Sequence, residues 1–163
     1  MTAYPYPAYR EARVEPGSCT SNDIEDYYDR CVSAANCAAY ESTACGACLR
    51  LSYLDDQSYG PWLSLGEAAI LEPNIAGCIE VAGAPDCAQK MQIAALCELL
   101  ACEEPCSGLD PDAHLTCMMA ARDSSCAEAK AAAACIPSSE FVTLCTGNGF
   151  RTQFIKVASV LCG

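Results

Sequence analysis

Fifteen cysteines in a chain of 163 residues constrain its fold more than any other feature. They run from Cys19 to Cys162, at a density of about 9% that marks a disulfide scaffold of an oxidising compartment. The competing reading is a reduced, thiolate-rich metal store. Sulfur matters here because the other apolar residues are small. Leu, Ile, Val and Phe together number 29, whereas Ala alone numbers 28, and the net charge is −12. That balance falls in the range of disordered chains, and the nominal hydrophobic content of 52% rests heavily on Ala and Cys. Burying an alanine methyl contributes far less than the ~1.5–3 kcal/mol of a Leu or Phe side chain. A disulfide typically contributes ~2–4 kcal/mol, so about seven intrachain bridges are the expected compensation. The length fits one domain, or two small ones.

Residues 1–18 read as a flexible Tyr/Pro-rich tail, because Tyr4-Pro5-Tyr6-Pro7 favours polyproline II and no apolar periodicity follows until Ile24. Asn22 and Glu25 make a capping box, after which Ile24, Tyr27, Tyr28, Cys31 and Ala35 recur at helical spacing. A second helix carries Cys37, Ala38, Cys45 and Cys48, and residues 50–60 form a loop. Pro61 opens a short helix through Ile70, and Pro73 opens another that Gly83 closes. Asp86 starts the strongest helix, which runs to about Cys102. Past a loop over 103–112, Asp110 caps a helix whose first residue is Pro111. Helices are expected over 111–122 and 125–135, with two more after Pro137 and after the turn at 146–149. Sustained period-two alternation is missing throughout. The expected fold is all-α: residues 19–163 form a bundle of short helices, arranged as repeated helical hairpins cross-linked by disulfides.

Three segments suggest the repeat. "CVSAANCAAYESTAC" (31–45), "CIEVAGAPDCAQKMQIAALC" (78–97) and "CMMAARDSSCAEAKAAAAC" (117–135) each read cysteine, a small-residue helical turn, a polar break, Cys-Ala and a second helix ending in cysteine. They place hairpin units at 31–48, 78–106 and 117–145. A helix turns about 100° per residue, so Cys126 and Cys135 fall on nearly opposite faces. Cys97 and Cys102 lie about 140° apart, and Cys87 and Cys97 about 80°. Sulfurs scattered in this way reach different neighbours rather than lining one metal channel. The disulfide candidates are Cys31, Cys37, Cys45, Cys48, Cys78, Cys87, Cys97, Cys102, Cys106, Cys117, Cys126, Cys135 and Cys145. Fifteen is odd, and Cys19 or Cys162, at either edge of the domain, is the expected unpaired or intermolecular thiol.

The spacing of Cys87 and Cys97 resembles the twin C-x9-C helical hairpins of mitochondrial intermembrane-space proteins; the 126–135 pair is one residue shorter. That likeness implies architecture and no function. "AALCELLACEEPC" and the terminal "VLCG" resemble alanine- and cysteine-rich exported proteins of myxobacteria, which bring no established activity with them.

Chemistry beyond cross-linking finds little footing. Cu(I) prefers soft thiolates, and copper storage proteins resemble this chain in cysteine count and helical character. They rely on many C-x3-C pairs, whereas only Cys102 and Cys106 have that spacing here. Under that alternative Cys45, Cys48, Cys97, Cys102 and Cys106 would be the ligands. Cys45-Gly46-Ala47-Cys48 is the one C-x2-C, short of the two ligand pairs a structural zinc site uses. A dithiol redox role for it lacks the preceding strand. His114 is the only histidine and reads as a solvated surface residue. Glu103-Glu104, Asp55-Asp56 and Asp110/Asp112 sit in loops or caps, where carboxylates serve helix ends and solubility. No phosphate-binding or dinucleotide motif is present, so an enzyme is not expected and no cofactor is assigned.

The first nineteen residues hold no apolar stretch of signal-peptide type, and no window approaches the ~18 apolar residues of a membrane span. An extracellular or periplasmic chain is expected, its export signal not present in this sequence. A pI near 4.2 argues against nucleic acid and leaves basic proteins or cations as partners. The expected role is a non-enzymatic structural or protein-interaction module, an accessory subunit that meets its partner or a second copy covalently or not.

Overall fold

A computed structural model of the chain describes residues 9–50, 59–65, 70–103, 111–135 and 139–163. Thr20 opens the first helix, α1 (Ser21–Tyr27). Its hydroxyl accepts from the Asp23 N–H at 3.2 Å while the Asp23 carboxylate accepts from the Thr20 N–H at 2.9 Å. The box therefore uses Thr20 and Asp23 in place of the expected Asn22 and Glu25; an oxygen just before the first turn is the one that reaches the third helical N–H. A π-helical turn (Tyr28–Ser33) continues the helix and turns Cys31 inward beside Ile24 and Tyr27. Ala35, at φ 52, then reverses the chain in the left-handed region, and Cys31 bonds to Cys37. In α2 (Ala44–Leu49) Thr43 is the cap, accepting from the Gly46 N–H at 2.9 Å. Only glycine fits at 46, where a Cβ would overlap the Tyr40 carbonyl oxygen.

The helix expected from Pro61 through Ile70 is replaced by a hairpin. Strands β1 (Trp62–Leu65) and β2 (Ile70–Pro73) pair antiparallel, with Trp62 opposite Pro73 and Leu65 opposite Ile70. The Pro61 carbonyl accepts from the Asn74 N–H at 2.8 Å, and Asn74 Nδ2 donates to the Gly60 carbonyl at 2.9 Å, so both ends are tied together. Trp62 and Ile70 are residue types that favour strands, and a helix of only ten residues gains little from propensity alone. Pro73 stands at the strand end, where its missing N–H does no harm.

The remaining helices follow the sequence pattern closely. α3 (Ile75–Val81) and α4 (Pro85–Glu103) form a hairpin that turns at Gly83, φ 106. α5 (Pro111–Arg122) starts at the expected proline. α6 (Ala127–Ala132), α7 (Ser139–Cys145) and α8 (Phe150–Leu161) complete eight α-helices among the described residues. The protein is mostly helical, as expected.

Seven disulfides join fourteen of the fifteen cysteines, and none crosses another. Cys19–Cys45 encloses Cys31–Cys37. Cys48–Cys162 encloses Cys78–Cys145, then Cys87–Cys135, Cys97–Cys126 and Cys102–Cys117 in turn. The three inner bridges clamp α4 to the antiparallel run of α5 and α6, at Cα separations of 5.7, 5.9 and 5.9 Å. The bonding does not repeat from unit to unit: segment 31–48 holds Cys31–Cys37 within itself, whereas 78–106 and 117–145 bond to each other. Cys19 and Cys162, expected as odd thiols, are both paired and buried. The segment leading into α1 meets the C-terminal end of the chain there, since the Cys19 N–H donates to the Cys162 carbonyl at 2.9 Å. Cys106 lies outside the described residues.

Two cores result. The larger packs Ile24, Tyr27, Leu49, Ile79, Phe154, Val157 and Leu161 among buried cysteines, with Tyr27 stacked on Phe154 at 6.2 Å. The smaller, between α4, α5 and α6, consists of Ala94, Cys97, Cys102, Met118, Ala121, Cys126 and Ala129. Among the described residues no Leu or Phe belongs to it; alanine methyls and sulfur fill the space, with Ile93 packed against it. Residues 9–18, expected as part of a free tail, form a strap hydrogen-bonded to α3, α4, Tyr59 and the end of α8. Gln92 grips the Arg10 backbone, Oε1 accepting from its N–H and Nε2 donating to its carbonyl, both at 2.8 Å. Further along, Ala12 donates to Glu80 at 2.7 Å, Arg13 to the Tyr59 carbonyl at 2.8 Å and Glu15 to the Leu161 carbonyl at 2.7 Å. Residues 1–8 lie outside the described residues.

Candidate functional site

α4 places Met91, Ala94, Ala95 and Glu98 at i, i+3, i+4 and i+7, one face of one helix. Lys130, Ala133 and Ala134, in α6 and just beyond it, stand opposite, and the segment from Glu72 to Ala76 forms a third wall. Arg122, last in α5, also lines the space. The disulfides hold these helices at a fixed distance, and alanine is too small to fill what lies between them. An open cleft of about 500 Å³ remains.

The polarity of the interior gathers at this cleft. Among the described residues the buried polar side chains are Asn74, Gln92 and Glu98, and all three line it. Each has a partner. Asn74 Oδ1 accepts from the Gly77 N–H at 2.9 Å, and Gln92 holds the strap. Glu98 receives Arg122 through two parallel bonds, Nε to Oε1 at 2.8 Å and Nη2 to Oε2 at 2.7 Å. That bond raises the Arg122 pKa further and leaves the guanidinium half exposed. Lys130 pairs with Asp123 at 2.7 Å on the surface. Glu72 is different. Partial burial pushes its carboxyl pKa up, the nearby Glu98 charge adds to this, and Arg122 opposes it only through space.

The residues singled out by sequence do not assemble into a site. Cys45 and Cys48 bond to Cys19 and Cys162 respectively, so "CGAC" is two anchors rather than a dithiol. Of the copper ligand set, Cys45, Cys48, Cys97 and Cys102 are all in disulfides and offer no thiolate. Cys106, Asp55, Asp56, Glu104 and Asp110 lie outside the described residues, as do the side chains of Glu103, Asp112 and His114. No cluster of three His, Cys, Asp or Glu side chains occurs among the described residues. Sequence reasoning passed over Glu72, Glu98 and Arg122. One signal was available: Glu98 interrupts the apolar run "IAALCELLAC", where a carboxylate needs a partner.

Taken together these features define a disulfide-stabilised helical protein with one alanine-walled cleft described. The chain matches no protein-family model, no curated protein and no solved structure.

Proposed function

We propose that the protein is an exported, non-catalytic binding module, an accessory component working outside the cytoplasm. The observation that carries this reading is the nested set of seven disulfides, which commits fourteen cysteines to cross-linking in an oxidising compartment. A cleft whose polar groups are mostly satisfied within the protein suits binding better than reaction, because among the described residues no Ser, Cys or Thr nucleophile stands beside a base in it. The compositional likeness to exported alanine- and cysteine-rich proteins supports the same compartment. Denaturing the purified chain without reductant, alkylating it and weighing it tests the proposal. Zero or one alkyl group per chain is the expected result; ten or more would replace the module with a thiolate store.

A further inference from the structure

We infer that the cleft between α4, α6 and β2 is a binding site for a small organic cation: a primary ammonium on a short hydrocarbon body, held by Glu72. The inference goes beyond the module reading and stands on the balance of charge inside the cleft. Its other ionic groups are already matched. Glu98 engages Arg122 through both oxygens, and Lys130 is tied to Asp123. Glu72 alone among the charged residues lining the cleft has no cation bonded to it among the described residues. The charges that act on it are Glu98 from α4 and Arg122 from α5, while Lys130 from α6 lines the same cleft. Partial burial beside Glu98 makes its ionised form costly, and an ammonium at hydrogen-bond distance offsets that cost.

The rest of the cleft selects the body of the ligand. Ile75, Met91, Ala95 and Ala133 present hydrocarbon, and about 500 Å³ lies within the range of small-molecule sites. Met91 is the adaptable member, since its unbranched thioether changes shape to fit what enters. An anion is disfavoured because both cations are occupied and two carboxylates face the space. A hard metal ion is disfavoured because it takes six or more oxygen ligands, and Glu98 is held by Arg122. The net charge of −12 draws cations towards the surface in general.

The test is an amide-resolved NMR titration of the full chain at pH 7 with n-hexylamine, against hexanol and hexanoate of the same length. Hexylamine is expected to bind at least ten-fold more tightly than either, with saturating shifts confined to the residues around Glu72, Ala95 and Glu98. Glu72→Gln should weaken it about ten-fold, and acidification that protonates Glu72 should do the same. Ala95→Leu, which fills the space and leaves the charge, should abolish binding. Circular dichroism and melting confirm that each variant is folded. Equal binding of hexanol, tighter binding of hexanoate, unchanged affinity in Glu72→Gln, or no shift at amine concentrations on the order of 10 mM would each overturn the assignment. The alkylation mass is independent of all four outcomes, so failure here leaves the module reading to its own test.

Discussion

Cys48 and Cys162 are separated by 114 residues in the chain and by 6.1 Å between Cα atoms. Their bond fastens α2 to the end of α8, and every other bridge from Cys78 onward lies within the loop it closes. Because Cys78–Cys145 already shortcuts that loop, removing the outer bond frees about fifty residues rather than the whole span.

Loop length therefore ranks the bridges. Replacing Cys48 and Cys162 together by alanine should cost about 4 kcal/mol, against about 2 kcal/mol for Cys31 and Cys37, whose sequence separation is 6. Denaturant midpoints of the oxidised proteins measure the difference. Equal losses would mean that loop length does not rank these bridges.

The Glu98–Arg122 pair predicts an asymmetric double-mutant cycle. Arg122→Ala leaves a buried carboxylate without its two bonds and should destabilise by about 2 kcal/mol, moderated by the half-exposed arginine. Adding Glu98→Leu should recover most of that loss, because the orphaned charge goes with it. Thermal denaturation of the two variants decides.

Glu72 gives a pH-dependent effect of defined sign. Its folded pKa is raised, so the folded state holds the proton more tightly than the unfolded chain, and ionisation at neutral pH opposes folding. Glu72→Gln should raise the melting temperature at pH 7. The gain should shrink as pH falls through the raised folded pKa and vanish below the ordinary carboxyl range of about 4. A gain that grew on acidification would contradict the burial of this group.

The strap is held through its backbone groups, and the Gln92 side chain supplies partners for two of them. Gln92→Leu should keep the volume, lose both bonds to Arg10 and cost about 2 kcal/mol. Hydrogen exchange at the Arg10, Ala12 and Arg13 amides should accelerate, while exchange in α4 remains slow. Uniform acceleration across the fold would show that the strap is not a separate unit.

Helix positions were readable from the chain because their signals are local. Pro111 and Gly83 act through their own backbone restrictions, and α4 follows its apolar spacing to within about two residues. The cap at Thr20 was misread by two residues, since several polar side chains in "TSND" compete for one role. The hairpin at Trp62–Pro73 was missed because each strand is only four residues long and, among the described residues, pairs only with the other. The bond that closes their ends runs from Asn74 back to Pro61. The strap was missed because nothing near Arg10 announces Gln92, 82 residues away.

By itself the sequence determined the helical class, the reliance on sulfur and the count of about seven bridges. Those follow from composition and from short-range periodicity, which the chain carries at every point. Which cysteine meets which, and where a cleft stays open, only tertiary structure decided. A sulfur's direction on its helix leaves many partners within reach until packing brings one to bonding distance, and a space between helices exists only once their separation is set.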